Sequence, residues 1–272
     1  MYWVFASLFC TTRTCAFRVK NVRTRSEYHM TTYMPTESKS IICQHKQKVQ
    51  ECQECNALLP TSLWNRLNWQ RFQPEPNTYH VTTLTNCLAK AYFERTRPTN
   101  EPLSSAWAKL RGTMIHYMVR SLGWSELAVR MRFPLDDETI TITGHVDAFE
   151  PETGTVYDLK TTRFAKWQAD KGHIPRESHT IQVQCYATLL ELYGISVNRL
   201  VLVYADDKEL IPKEVPLGNR RQWMINRATT LHRAFKESSL PKPEPGSSCK
   251  YCPYAEQCPG VPQTISLAEA IP

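Results

Sequence analysis

The sequence predicts an α/β fold, and three features of its 272 residues carry the prediction. Apolar residues recur at helical spacing in several segments, and strand-like runs lie between those segments. The order of the elements is helix, strand hairpin, helix, strand, helix, which is typical of an α/β core. The first helical stripe consists of Leu84, Cys87, Leu88, Ala91 and Tyr92.

The remaining elements follow in the same alternation. A second helix is predicted from Ser105 to Leu122, and turn residues then separate three strands. The predicted strands are Leu127–Pro134, Thr139–Phe149, Thr155–Thr161 and Arg199–Tyr204. The last two helices are predicted near Ser178–Tyr193 and Asn219–Glu237.

Two parts of the chain differ in composition. Residues 1–56 are polar and lack periodicity after Cys10, which predicts a poorly ordered N-terminal extension. Residues 57–272 are predicted to form one domain that includes a C-terminal cysteine cluster at 249–258. The formal net charge of +7 fits a nucleic-acid partner, although an ordinary mildly basic surface fits it equally well. The sequence contains no nucleotide-binding fingerprint of the GxGxxG or GxxxxGK[ST] type.

The cysteine content bears on the compartment. The chain has 10 cysteines, and disulfides would require an oxidising environment. The apolar start of the chain lacks the basic residues and the cleavage site of a signal peptide, and no apolar run is long enough to cross a bilayer. We therefore expect a cytoplasmic protein with reduced thiols and no membrane contact, in which clustered cysteines indicate a metal or cluster site.

Three charged residues on two neighbouring strands suggest metal chemistry. A short turn joins the strand that ends near Asp147 to the strand that carries Asp158 and Lys160, so a hairpin brings the two carboxylates together. Residues i and i+2 of a strand share a face, so Asp158 and Lys160 point the same way. Two carboxylates suit a hard divalent cation, and a nearby ammonium can assist phosphodiester hydrolysis. A solvated strand face is the alternative interpretation of the Asp-x-Lys tripeptide.

Further candidates lie on the predicted helices. His116 precedes the strands, and imidazole is a common metal ligand, although a single helical histidine is more often structural. Gln182 and Tyr186 are four residues apart and share a helix face, where they can support a ligand or form an ordinary polar pair.

Three late cysteines, at positions 249, 252 and 258, have the spacing of a metal-binding cluster. Cys87 is the candidate fourth ligand, and a buried core thiol is the alternative for it. Four thiolates can hold zinc or an iron–sulfur cluster, and the spacing does not choose between them. An irregular second group, formed by Cys43, His45, Cys52 and Cys55, could form a small additional metal site.

In their order along residues 79–262, these motifs resemble the RecB-like PD-(D/E)XK nucleases that carry an iron–sulfur cluster. The motifs are GxxxH (Gly112 to His116), GxxD (Gly144 to Asp147), (D/E)xK (Asp158 to Lys160) and QxxxY (Gln182 to Tyr186). The early Cys87 and the three late cysteines match the cysteine pattern of the same group. This group includes the CRISPR-associated RecB-like exonucleases and the AddB nuclease domain.

The resemblance implies a restriction-endonuclease-like core, with a mixed central sheet flanked by helices. It implies that His116, Asp147, Asp158 and the carbonyl of Leu159 bind Mg²⁺ or Mn²⁺, and that Lys160 assists the nucleophilic water. It further implies that Gln182 and Tyr186 support the site.

The resemblance also implies a structural 4Fe-4S cluster, with zinc as the alternative metal. The cluster's ligands are Cys87, Cys249, Cys252 and Cys258. The expected substrate is DNA, single-stranded or with free ends, cleaved by exonuclease trimming; RNA is an alternative. The sequence contains no helicase motifs, so a helicase, CRISPR, repair or phage replication partner would be a separate protein. The competing hypothesis is a catalytically silent DNA-binding or CRISPR-interfering module on the same fold.

Overall fold

The computed structural model describes residues 10–11, 14–15, 41–49, 51–53, 60, 62–63, 67, 75–97 and 99–261. The chain divides into two units, Met1–Thr36 and Glu37–Pro272. The described part of the first unit is an antiparallel pair of two-residue strands, Cys10–Thr11 and Thr14–Cys15. The domain boundary predicted at residue 56 stays a prediction. All elements below belong to the second unit.

Seven strands and six helices carry the described fold of the second unit. The strands are β1 Thr78–His80, β2 Leu127–Leu135, β3 Glu138–Val146, β4 Ala148–Glu150, β5 Thr155–Thr161, β6 Arg199–Ala205 and β7 Leu210–Val215. The helices are α1 Val81–Leu84, α2 Leu88–Thr96, α3 Leu103–Ser121, α4 Ala165–Asp170, α5 Glu177–Glu191 and α6 Arg221–Lys236. Two short 3₁₀ helices follow, Ser247–Tyr251 and Ala255–Gln257. A short additional parallel pair joins Ile41–Ile42 to Glu101–Pro102.

The strands form two sheets, and the chain runs directly from one sheet into the other. In the first, β3 lies between β1, which is parallel to it, and β2, which is antiparallel. The second has the order β7-β6-β5-β4, in which β5 and β6 are parallel and the other pairs are antiparallel. Only Asp147 separates β3 from β4, so the chain passes from one sheet to the other at this residue. The predicted α/β fold with its mixed sheet is confirmed.

Helix α5 packs against both sheets. It contacts β2 and β3 of the first sheet and β5 and β6 of the second. All nine residues from Gln182 to Leu190 are buried, so every side of the middle of this helix faces protein. A helix buried on all sides has no polar face to mark it as amphipathic. Its burial fixes the position of any side chain that it directs towards the sheets.

The C-terminal segment packs on α2 and α6. Phe93 of α2 stacks on Tyr254, with ring centroids 5.4 Å apart, and Tyr254 is 1% exposed. On the same helix, Tyr92 stacks on Phe235 of α6 at the same centroid distance. These aromatic contacts hold the end of the described chain against one of its earliest helices. No described helix is both long enough and apolar enough to span a membrane.

Candidate active site

Asp147 occupies the position where the chain passes between the two sheets. The antiparallel register pairs Ala148 with Tyr157, and its continuation sets Asp147 across from Asp158 on β5. One carboxylate oxygen of Asp147 accepts a hydrogen bond of 2.7 Å from the backbone N–H of Leu159. The two carboxylates singled out in the sequence therefore lie side by side on adjacent strands.

Asp158 is a buried carboxylate, with 1% of the residue exposed. Lys160 Nζ forms an ion pair with Asp158 Oδ2 at 2.7 Å, and no other described group donates a hydrogen bond to this buried oxygen. Burial disfavours the charged form and raises the pKa of Asp158 to about 6; the charge on Lys160 lowers this pKa, and the charge on Asp147 raises it. A buried carboxylate whose charged form is disfavoured even beside a lysine is suited to binding a further cation.

Gln182 connects the lysine to helix α5. Its amide oxygen accepts a hydrogen bond of 3.0 Å from Lys160 Nζ, and its amide nitrogen donates one of 2.7 Å to the hydroxyl of Tyr186. The same nitrogen lies 3.5 Å from Asp158 Oδ1, at the outer limit of a hydrogen bond. Tyr186 is 3% exposed, and burial raises the pKa of its phenol well above the ordinary value. The tyrosine thus stays neutral and fixes the amide that orients Lys160.

Two glycines permit the close packing that assembles this group. A Cβ on Gly144 would lie 2.6 Å from a ring carbon of Tyr186, so only glycine leaves room for that ring. A Cβ on Gly112 would lie 3.2 Å from the hydroxyl oxygen of Thr161, where α3 approaches the end of β5. These contacts give a physical reason for the glycines of the GxxD and GxxxH motifs.

The approach of α3 brings His116 to the carboxylates. His116 Nδ1 lies 3.1 Å from Asp147 Oδ1, and the His116 side chain is 30% exposed. Four of the sequence candidates, His116, Asp147, Asp158 and Lys160, therefore form one connected group, with Gln182 and Tyr186 supporting it from α5. The donor set consists of two carboxylates and an imidazole, which fits a divalent cation.

A cavity of about 250 Å³ opens beside this group. It is lined by His116, Leu159, Lys160, Thr161, Thr162, Arg176, His179 and Tyr204. Lys160 and Arg176 give the cavity two cationic groups, which suits an anionic ligand such as a phosphodiester. The group of His116, Asp147, Asp158 and Lys160 and the adjacent cavity thus form one site, and the cavity is the part suited to binding an anion.

Sequence analysis missed the part of this cavity formed by His179, Arg176 and Tyr204. The Tyr204 hydroxyl accepts a hydrogen bond of 3.1 Å from the backbone N–H of Arg176 and lies 2.9 Å from His179 Nδ1. Burial, together with the charges of Lys160 and Arg176, lowers the pKa of His179 to about 3, so the imidazole is neutral at ordinary pH. His179 lies three residues before Gln182, so helical spacing was the available signal for it.

The three late cysteines lie on the segment that packs against α2. The backbone N–H of Gly246 lies 3.4 Å from Cys249 Sγ. Burial raises the pKa of Cys252; the backbone N–H of Tyr254 and the charge of Lys90 lower it, and the neighbouring Cys249 and Cys258 raise it. Backbone N–H groups directed at sulfur are suited to supporting thiolates. The late cysteines therefore lie close to one another and to Lys90 of α2.

Cys87 precedes α2 directly, as its N-cap residue. The next residue, Leu88, donates its backbone N–H to a carboxylate oxygen of Glu244 at 3.1 Å. Arg227 of α6 also binds Glu244 and donates to the backbone carbonyls of Leu84 and Asn86. These contacts tie the chain around Cys87 to the segment that leads to the late cysteines.

A mixed α/β fold with paired carboxylates and a lysine on adjacent strands defines a nuclease-type hydrolase. The family model of the PD-(D/E)XK nuclease superfamily matches residues 80–259, and the chain belongs to this superfamily. No curated protein matches the sequence significantly.

The solved structures that are similar to this chain include the following two. The crystal structure of SSO0001 aligns with a TM-score of 0.55 at 20% identity, covering 73% of this chain and 94% of the other. An alkaline exonuclease (LHK-Exo) from Laribacter hongkongensis aligns with a TM-score of 0.32 at 12% identity, covering 60% of this chain and 87% of the other. The first similarity shows the fold alone, and the second is too distant to support an argument.

Proposed function

We propose that this protein is a metal-dependent deoxyribonuclease of the RecB-like type that trims single-stranded DNA from its ends. The observation that carries the proposal is the convergence of His116, Asp147 and Asp158 with Lys160 at the edge of a cationic cavity. This arrangement combines cation ligands with groups that attract and orient a phosphodiester.

The residues that would hold Mg²⁺ or Mn²⁺ are His116, Asp147, Asp158 and the carbonyl of Leu159. The buried carboxylate of Asp158 supports this assignment, because its pKa is raised to about 6 even with Lys160 beside it, and a bound cation would add the positive charge that favours its ionised form. When bound, such an ion polarises a phosphoryl oxygen and lowers the pKa of a coordinated water.

Lys160 has a separate role in this scheme. Its ammonium lies between Asp158 and Gln182, so its position is set from the strand and from α5 together. From that position it orients the attacking water and offsets negative charge as it develops on the phosphate. Gln182 and Tyr186 act as positioning residues, because they hold Lys160 through hydrogen bonds.

The preference for single strands rests on aromatic residues beside the cavity. Phe164 and Trp167 are 72% and 55% exposed, and they come shortly after the cavity-lining Thr161 and Thr162 in sequence. Exposed aromatic rings close to basic side chains are a common platform for unpaired bases. Arg163 is the exposed basic residue next to Phe164. Bases of a single strand would stack here while its backbone enters the cavity.

A 4Fe-4S cluster held by Cys87, Cys249, Cys252 and Cys258 is the second part of the proposal. The contacts of Glu244 with Leu88 and Arg227 support it, because they bring the start of α2 to the cysteine segment. In this role the cluster would fasten the end of the domain to α2, without taking part in cleavage. Zinc is the alternative occupant, and iron and sulfide analysis of anaerobically purified protein separates the two.

The decisive experiment measures cleavage of end-labelled single-stranded DNA with Mn²⁺ or Mg²⁺, using anaerobically purified protein. Lys160→Ala tests the site, and Lys208→Ala is the matched control, because Lys208 is exposed and does not line the cavity. We expect the parent and Lys208→Ala to release short products from the ends, while Lys160→Ala is inactive. An RNA strand of the same sequence tests the choice of nucleic acid.

Intact DNA after incubation with folded, metal-replete parent protein would contradict the proposal. The chain would then be interpreted as a binding module on a nuclease fold, and retained DNA binding would support that alternative.

A further inference from the structure

A group of three potential metal ligands lies outside the nuclease site, on the hairpin formed by residues 41–49. Ile42 pairs with Lys48 in an antiparallel bridge, and Lys46 closes the turn with a positive φ of 59°. Backbone hydrogen bonds of 2.9 Å and 3.0 Å join Cys43 to Gln47 and Lys46. The turn therefore holds Cys43 and His45 in a fixed relation to each other.

Cys52 completes the group from the residues that follow the hairpin. Its backbone N–H donates to the carbonyl of Lys48 at 3.0 Å, which brings the chain back towards the turn. The ligand atoms of Cys43, His45 and Cys52 all lie within 4.8 Å of one another. His45 Nδ1 is 3.3 Å from Cys52 Sγ and 3.9 Å from Cys43 Sγ.

These distances agree with the size of a tetrahedral zinc site. Zinc–sulfur bonds of about 2.3 Å and zinc–nitrogen bonds of about 2.05 Å place a sulfur and a nitrogen ligand roughly 3.6 Å apart. The two sulfur–nitrogen distances in the group fall on either side of that value. Both sulfur–nitrogen distances are therefore within a few tenths of an ångström of those around a single zinc ion.

The surroundings favour a structural ion. Cys43 and Cys52 are 4% and 2% exposed, and they pack in a small apolar cluster with Ile41, Val49 and Ala106. His45 is exposed at the edge of this cluster. Two sulfur ligands and one imidazole form a soft donor set, which selects zinc over Mg²⁺ or Mn²⁺.

The cluster also connects the hairpin to the nuclease domain. The strand Ile41–Ile42 pairs with Glu101–Pro102, the two residues directly before α3. Ala106 of α3 belongs to the same apolar cluster, and the helix then continues to His116. An ion at the hairpin would thus stabilise the contact that anchors the beginning of the His116 helix.

We propose that Cys43, His45 and Cys52 bind one structural zinc ion, at a site separate from the nuclease metals and from the late cysteines. A water molecule or a further side chain supplies the fourth ligand. Cys55 follows at a CxxC spacing in the sequence and lies outside the described residues. The proposal is independent of whether the protein cleaves DNA.

The test measures zinc by elemental analysis in the full chain, purified without chelators and supplied with zinc. We expect the parent to hold one more equivalent of zinc than His45→Ala when both compete with a chelator. His173→Ala is the matched control, because His173 is also exposed but lies outside the cluster. His45→Cys should restore the lost zinc, because a third thiolate is an equally good ligand.

The outcomes are distinct. Removal of a ligand should weaken zinc binding by more than the roughly 10- to 100-fold that is typical when a supporting residue is lost. Equal zinc content in the parent and in His45→Ala would overturn the proposal. Loss of zinc in His173→Ala as well would also overturn it. The iron content, measured in the same samples, should be the same in the parent and all three variants, because the late cysteines are untouched.

Discussion

Gly144→Ala is the sharpest test of how the fold holds the candidate site. The new methyl group would lie 2.6 Å and 3.0 Å from two ring carbons of Tyr186, whereas carbon atoms in contact are separated by about 3.5 Å or more. The ring must therefore move by roughly 0.9 Å. Tyr186 is 3% exposed on a helix that is buried on all sides, so the surrounding side chains must move with it. Overpacking of this kind costs about 1–3 kcal/mol of folding free energy.

The same displacement reaches Lys160 through hydrogen bonds. Tyr186 holds the amide of Gln182, which in turn holds the ammonium of Lys160. A shift of about 1 Å in a positioned group can reduce the rate on the order of 10²-fold. We expect Gly144→Ala to lower the rate of DNA cleavage by up to this factor.

A double-mutant cycle combines Gly144→Ala with Tyr186→Leu and is measured by urea denaturation and by single-turnover cleavage. It separates the steric effect of the new methyl group on the ring from other effects of the substitution. Tyr186→Leu removes the ring, so the cost of Gly144→Ala should largely disappear in the double variant, with a coupling energy of about 1 kcal/mol or more. Gly246→Ala is the control, because a Cβ there meets no atom within 4 Å and its φ of −170° is extended. Additive free energies in the cycle would refute the steric explanation.

Three further predictions concern individual side chains. Asp158→Asn should abolish cleavage and stabilise the metal-free protein at pH 7, because the raised pKa of Asp158, about 6 in the fold, means that its buried charge destabilises the protein increasingly as the pH rises from about 4 to 6. Urea denaturation tests this, and a destabilised variant would contradict it. His179→Gln should make the free energy of unfolding depend less on pH between about 6.5 and 3. The histidine has a pKa of about 3 in the fold, so it takes up a proton on unfolding and lowers the stability of the parent as the pH falls through this range. Denaturation at several pH values measures this, and an unchanged pH profile would disprove it. Phe164→Ala should weaken binding of single-stranded DNA by about 1–3 kcal/mol without loss of stability, in line with the stacking of one base; fluorescence anisotropy measures this, and unchanged affinity would remove Phe164 from the DNA path.

Part of the site could be predicted because local sequence determines it. The short turn between β4 and β5 fixes the register of Ala148 with Tyr157, and that register sets Asp147 across from Asp158. The period of two along β5 likewise puts Lys160 beside Asp158. Chain spacing alone contains this information, so the acidic pair and its lysine could be located without a structure.

The rest depends on pairings between distant segments. Tyr204 reaches the cavity because β6 pairs in parallel with β5, which sets Tyr204 beside Lys160 although the two residues are 44 positions apart in the sequence. No local pattern specifies that register. Strand β7 was missed because its alternation is weak and Pro212 lies inside it, and proline disfavours a strand except at an edge. In the sheet β7 is an edge strand, where a proline is tolerated.

The position of Asp158 links stability to function in this fold. Burial raises the pKa of Asp158 to about 6 although Lys160 lies 2.7 Å from its Oδ2, so the charged carboxylate destabilises the metal-free protein. A cation that binds the folded state but not the unfolded chain would offset this cost and raise the free energy of unfolding with its concentration. Asp158→Asn should lose this response, because the amide has no negative charge to attract the ion. A buried carboxylate that destabilises the empty site is therefore the same feature that would make the site bind its metal.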